Sequence, residues 1–364
     1  MTTAQQNTYQ MLRAYVQGIK APGFLSGLFQ APPENFHNQK QVQIDLSLEA
    51  ENVATPVDTV GSEYNKNNSS THQELEVTPP VYKESEVIPI DELYNRQVGA
   101  NPYQDNDVQV NGVRLALKAA ERLANKVGRA LELQASQILT SSSGLSLVDS
   151  SGAVKFALNY NLSGTLFPTA ATPWSSSGTA DPIADLMALC VVIRGGGNDP
   201  TWCVMDGYSL EAAMKVTSFK ERFTPIGANF AGALNPMSNP GSSGGNYRGS
   251  LQVGHWRLDV YTYGAMYRHP QTGTMTPYIP RKKVVVGSNA RMDATFGNVS
   301  RFPGEQQALQ YLPARITSSN GRMDLNFNAW FSADRTALNI GVGARPLLIP
   351  TDKFAFGCLD TDLA

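Results

Sequence analysis

Four histidines, His37, His72, His255 and His269, are the side chains best able to ligate a metal or relay a proton near neutral pH. Their spacing gives no sign of a metal site. None stands in an HExxH motif and no two lie three or four residues apart, the separation that sets two imidazoles on one helix face. The glycine runs at 195–197 and between Gly241 and Gly245 could turn backbone amides toward a phosphate. Neither forms GxxxxGK[ST], nor a GxGxxG between a strand and a helix. Ser209 lies in Gly207-Tyr208-Ser209-Leu210 rather than in the GxSxG elbow of a hydrolase, and an N-terminal helix cap accounts for it. Asp181, Asp199 and Asp206 would have to converge to work as acid and base; caps and solvated turns are the simpler expectation. No catalytic, cofactor-binding or metal-binding residues are therefore expected, and no cofactor.

Charge does not supply what the motifs lack. The 364 residues carry 29 Lys and Arg against 31 Asp and Glu, a formal net charge of -2, with neither sign gathered into a block. Binding that draws its affinity from many neutralised phosphates is not expected. Arg281-Lys282-Lys283 precedes Val284-Val285-Val286 and reads as a solvated strand entrance, with Arg248 a second basic position. Trp256, Tyr261, Tyr263 and Tyr267 alternate with small and polar residues, which fits a packed sheet better than a platform for stacked bases. Cys190, Cys203 and Cys358 sit in apolar surroundings and read as buried free thiols of a reducing compartment. Met1 to Gln10 has no basic stretch followed by an apolar core, and no apolar run approaches the ~20 residues of a membrane span. A soluble product made inside a cell is expected.

The elements that would hold these residues follow from periodicity. Thr3 to Ile19 is a helical candidate with Leu12, Tyr15, Val16 and Ile19 as its stripe, closed off by Pro22, Pro32 and Pro33. Val42, Ile44 and Leu46 alternate as a strand over Lys40 to Ser47. Beyond the polar tip at 61–73, extended candidates return at Glu74 to Pro79 and Val81 to Ile90, making a long two-stranded excursion. A lone hairpin is marginal in water, so it is expected to lie against other protein. A helix is expected over 106–140, capped by Asp105 or Asn106. Its buried stripe would be Val113, Ala116, Ala120, Leu123, Val127, Leu131 and Ile138. Arg114, Lys118, Glu121, Arg122, Lys126, Arg129 and Glu132 would take its surface.

Strand candidates follow at Leu145 to Val148 and Ala153 to Leu158. A helix starting at Asp181-Pro182 would turn Ile183, Leu186, Met187 and Cys190 inward and stop at the glycines 195–197. Thr201 to Met205 reads as a buried strand and Ser209 to Glu221 as one further helix. Strands are expected around Trp256 to Tyr263 and Lys283 to Val286, and a surface loop between Asn229 and Ser250. Met323 to Phe331, 346–350 and Phe354 to Cys358 return apolar surface to lobes begun upstream. The order points to a mixed α+β protein.

Segments of this chain, in their order and spacing, resemble one known family. 181-DPIADLMALCVVI-193 with 204-VMDGYSLEAAMKVTSFKERF-223 resembles its helix, buried strand and second helix with a Phe-Lys pair. 253-VGHWRLDVYTYGAMYRHPQTGTMTPYIPRKKVVVGS-288 is similar to its strand, hairpin, proline and closing apolar strand. 345-RPLLIPTDKFAFGCLD-360 resembles its final strands. The family is that of the major capsid proteins of tailed bacteriophages, with the lambda head protein among its members and the HK97-type shell fold.

The resemblance implies an N-terminal arm over 1–45 and an extended β-hairpin loop over 46–90. A peripheral lobe would occupy 91–180 with its spine helix at 106–140, an axial lobe 181–290, and strands returning to both lobes 291–364. It implies a structural subunit, not an enzyme, that self-assembles through hexamers and pentamers into an icosahedral or prolate head shell around double-stranded DNA. Portal, scaffold or protease, and decoration proteins would be its partners. The DNA would be enclosed without sequence-specific binding, no membrane would be involved, and assembly in the host cytoplasm would end in the virion. The alternatives are the shell of a cellular encapsulin-like compartment and a non-capsid virion component. Some related phages crosslink their shells through a lysine of the extended loop. Lys66 and Lys83 are the positions available here, but no residue-level motif supports a match and self-crosslinking is not expected.

Overall fold

The computed structural model describes residues 23–37, 41–48, 71–94, 108–225, 245–299, 316–317, 324–334 and 336–362. The helix expected over Thr3 to Ile19, the caps expected at Asp105 or Asn106, and the polar tip up to residue 70 lie outside them. In chain order the elements are β1 (Val42–Leu48), β2 (Thr71–Val77), β3 (Tyr82–Pro89), the short α1 (Ile90–Tyr94), α2 (Val108–Thr140), β4 (Leu145–Val148) and β5 (Val154–Leu158). Then come α3 (Pro182–Gly195), β6 (Pro200–Met205), α4 (Gly207–Met214), α5 (Thr217–Arg222), β7 (Phe223–Pro225), β8 (Gly245–Val253) and β9 (Trp256–Tyr263). The rest are β10 (Met266–Arg268), β11 (Met275–Pro277), β12 (Lys283–Ser288), β13 (Asp293–Phe296), β14 (Ile316–Thr317), β15 (Asp324–Phe331), β16 (Ala337–Ala344), β17 (Pro346–Ile349) and β18 (Phe356–Asp360). The chain forms two compact units: one of residues 1–42, 77–132 and 293–348, the other of 43–76, 133–292 and 349–364.

In the first unit β14, β15, β16 and β3 form an antiparallel sheet in that order. Period-two alternation decides its faces: Leu325, Phe327 and Ala329 on β15 and Ile340, Val342 and Ala344 on β16 are buried. Sequence reading assigned β3 to the two-stranded excursion. Instead β1 pairs with β2, and β3 leaves them to become the edge strand beside β16. Glu84 and Glu86 on β3 bond Lys126 and Arg122 of α2. On α2, Ala120, Leu123, Val127 and Leu131 are buried as the 3.6-residue period requires. Glu132, expected on the surface, is 1% exposed because it has backbone donors to satisfy inside.

The second unit is built on a six-stranded sheet of order β18-β12-β6-β9-β8-β7. β6 and β9 run parallel; the other neighbours are antiparallel. Ile183, Leu186, Leu189, Cys190 and Ile193 of α3, with Ala213 and Phe219 of α4 and α5, form one apolar core with Cys203, Met205, Leu258, Val260, Val284 and Val286 of the sheet. Three expectations are corrected here. Met187 of α3 faces solvent, because it lies off the stripe of Ile183, Leu186, Cys190 and Ile193 that the 3.6-residue period turns inward. The single helix expected over Ser209 to Glu221 is two, since Val216 takes extended backbone (φ -86, ψ 126) and buries its side chain. Residues 245–250 of the loop expected between Asn229 and Ser250 belong instead to β8, which pairs with β9; the earlier part of that stretch lies outside the described residues.

Candidate assembly surfaces

Most of the described residues singled out for chemistry are engaged in local structure. Asp181 Oδ1 accepts the Ala184 amide at 3.2 Å and caps α3. Asp206 Oδ2 accepts the Tyr208 amide at 3.3 Å and caps α4, the role expected of Ser209. Ser209 lies inside α4, fully buried, and its hydroxyl donates to the Arg281 carbonyl. Asp199 pairs with Arg194 at 3.5 Å. The amides of Gly196 and Gly197 point back to the carbonyls of Ile193 and Arg194, so they close a helix and are not offered to a phosphate. His255 packs on Trp256, with ring centroids 3.7 Å apart. His269 Nδ1 accepts the amides of Gln271 and Thr272. Burial holds His37 below the usual imidazole pKa. His72 lies on β2. Among the described residues no three His, Cys, Asp or Glu side chains are grouped to hold a metal, and no helix is long and apolar enough to cross a membrane.

The basic and aromatic positions are spent on packing in the same way. Arg281 stacks over the Tyr208 ring at 4.1 Å and Lys283 pairs with Asp360 at 3.0 Å. Arg248 sits at a bulge of β8 and donates from Nε to Thr262 Oγ1. Trp256 and Tyr263 are buried, and Tyr263 and Tyr267 both pack on Tyr278. The thiols of Cys190, Cys203 and Cys358 are free and buried. Desolvation pushes those of Cys190 and Cys358 up to about 12.

What the structure presents for contact with other molecules is surface. The segment at 23–37 is tied down within the first unit. The amides of Leu25 and Ser26 donate to the two carboxylate oxygens of Glu132 at 2.8 and 2.9 Å. A Cβ on Gly23 would stand 2.3 Å from Glu132 Oε2, so a larger residue there would have to displace the carboxylate. Further along, Gln30 and Phe36 bridge to Asp293 and Phe296 of β13, and the two phenylalanine rings stack at 4.8 Å. This anchor escaped sequence reading because its donors stand more than a hundred positions from its acceptor. Gly23 close to the prolines was the one local signal.

The face of the four-stranded sheet that carries Lys83 holds a groove of about 260 Å³. Gly341 and Gly343 form its floor, Trp330 lies over Gly341, and Asn326 and Asn328 line it. Lys83 stands on β3 at this groove; Lys66 lies outside the described residues. In the second unit, large apolar side chains stay exposed on α3 (Met187, Val191) and on the β10–β11 hairpin (Met266, Met275).

No curated protein matches this sequence. Solved structures do match its fold. A candidate capsid protein of an E. coli CFT073 prophage superposes with a TM-score of 0.65 at 15% identity, over 96% of this chain and 98% of that one. The capsid of cyanophage A-1(L) gives 0.55 at 11% identity over 94% and 93%. The capsid of Ralstonia phage GP4 gives 0.50 at 12% identity over 94% and 91%. The architecture is thus the HK97-type capsid fold expected from the sequence. The family model described as phage major capsid protein E matches residues 7–340. With that match running through nearly its whole length, the chain belongs to the phage major capsid protein E family.

Proposed function

We propose that this chain is the structural subunit that builds a phage head shell, closing as pentamers and hexamers into an icosahedral or prolate container for double-stranded DNA. Membership of the major capsid protein E family across residues 7–340 carries this reading. The near balance of charge suits it: a strongly basic wall would hold the genome and hinder packing, and a strongly charged subunit would repel its own copies. The DNA is enclosed without sequence-specific contacts. Assembly takes place in the host cytoplasm, with a portal, a scaffold or protease and a decoration protein as helpers, and no membrane.

Within the subunit the division of labour follows the family pattern. Residues 1–45 act as an arm, 46–90 as the extended loop with β3 as its root beside β16, 91–180 as the peripheral lobe on its spine helix, 181–290 as the axial lobe, and 291–364 return to both. The loop gains from a neighbour the buried area that a two-stranded ribbon cannot find alone. Several weak contacts per subunit then hold together, because releasing one copy means breaking all of them. Electron microscopy of the full chain expressed alone tests the reading. Closed shells, or pentameric and hexameric rings, are expected. A chain that stays monomeric even when expressed with its neighbouring head genes would overturn it.

A further inference from the structure

We infer that the outer face of α3 is one half of a head-to-tail contact between copies of this chain, and that the β10–β11 hairpin of the next copy is the other half. This rests on the shell-subunit reading above.

α3 is apolar on both sides. Its inner face is the core already described. Its outer face carries Ala184, Met187, Ala188 and Val191 at the i, i+3, i+4, i+7 spacing of a second stripe, all exposed, with Met187 at 42% and Val191 at 53%. Asp185, the one acid within the helix, is turned to Trp174 Nε1 at 2.9 Å. A helix apolar all round belongs in a buried setting, and one side of this helix has none within its own unit.

The hairpin supplies a second patch. Its register pairs Met266 with Pro277 and Arg268 with Met275, so these four share one face of the ribbon. Tyr267 turns to the other face and packs on Tyr278 at 5.0 Å. Met266 and Met275 are left 51% and 62% exposed.

The two patches stand at opposite ends of one strand. Met187 lies by the β8–β9 turn: a Cβ on Gly254 would meet its Cε at 3.5 Å. The hairpin starts just past Tyr263, where β9 ends. Eight residues of strand separate the ends by about 26 Å. A contact that uses each patch once per copy repeats head to tail, and such a repeat closes into a ring when its rotation divides the full turn, as five- and sixfold capsomers require. Methionine on both sides suits a contact that must fit pentamers and hexamers alike, because its flexible thioether repacks at little cost.

The test is an engineered disulfide, Ala188→Cys with Met275→Cys in one chain. The three native thiols are buried and stay out of the reaction. Particles of the double variant, mildly oxidised and run on a denaturing gel without reductant, should give a ladder ending at the pentamer and hexamer, and each single variant a monomer. Wild-type particles beside a double variant that assembles without crosslinking would overturn the inference and leave the shell reading intact. Dimers from Ala188→Cys alone, or a ladder stopping at two, would overturn it as well.

A charge exchange covers the case in which the double cysteine variant misfolds. Val191→Lys, a charge placed in an apolar contact, should cut particle yield about tenfold or more while its melting temperature holds. Met275→Glu in the same chain should restore most of the yield. Full yield from Val191→Lys, or no restoration, overturns the pairing. Should wild-type chain form no particles at all, the shell reading falls first; crosslinking in concentrated soluble chain then decides the contact, a ladder keeping it and its absence removing it.

Discussion

α2 and α3 each bury one face and differ in what they leave outside. The outer side of α2 is finished for water: Lys118, Arg122, Lys126 and Arg129 are exposed, and two of them reach Glu86 and Glu84 on β3. The outer side of α3 is finished for protein, with Met187 and Val191 where α2 carries lysine and arginine. One helix completes its subunit and the other waits for a neighbour. In a molecule whose function is assembly, the informative helix is the one that breaks amphipathic pattern.

The comparison breaks first if the inner faces are not equivalent. Leu123→Asp on α2 and Leu186→Asp on α3 each bury an unpaired carboxylate, at a cost of about 4 kcal/mol or more. Neither variant should yield folded chain, and a near-normal thermal melt for one would mean that its face is misassigned. Glu132→Ala comes next. It strips the Leu25 and Ser26 amides of their charged acceptor, for a loss of about 2–3 kcal/mol. Amide hydrogen exchange at Leu25 and Ser26 should accelerate with it, and unchanged exchange would contradict the anchor.

The outer faces should separate more sharply. Arg122→Ala and Lys126→Ala remove half-exposed ion pairs, each worth under about 1 kcal/mol, and the loss should shrink in high salt. Met187→Gln with Val191→Ser should leave the isolated chain within about 0.5 kcal/mol of wild type, since neither residue supports its own core. Their effect belongs in particle yield. Failure to fold, as expected of Leu186→Asp, would put that face inside the subunit after all.

Local pattern carried much of this into view, and long-range pairing hid the rest. Alternation exposed β15 through Leu325, Phe327 and Ala329, and β9 from Trp256 to Tyr263, because which side a strand residue takes is settled by its nearest neighbours. The same reading put Glu132 on the surface, since its partners, Leu25 and Ser26, come from a distant stretch of chain. It ran one helix through Val216, where burial of the side chain overrides helical continuity. It turned Met187 inward because apolar residues are presumed to face a core of their own chain. An assembly surface has no motif of catalytic type. Its mark is charge missing from a face that should carry it, legible only once the faces of α3 are known.

The smallest expected effect concerns acid, at the end of the sheet that α3 covers. Burial raises the Asp360 carboxyl, but hydrogen bonds from Lys283 and the Asp362 amide, with the charges of Lys283 and Lys282, outweigh it and hold the group below its ordinary value. A carboxylate whose folded pKa is depressed stabilises the fold above its unfolded value, about pH 4, and loses that contribution as pH falls through the folded one. Asp360→Asn keeps the shape of the side chain and an acceptor for the Asp362 amide while removing the charge. The backbone bonds of this residue to Pro168 and Ala170 do not depend on it. Urea melts of the variant should therefore run slightly below wild type at neutral pH and converge with it below about pH 4. If the two curves stay parallel through that range, Asp360 and Lys283 are mere neighbours, and the β12–β18 edge of the sheet holds by its backbone ladder alone.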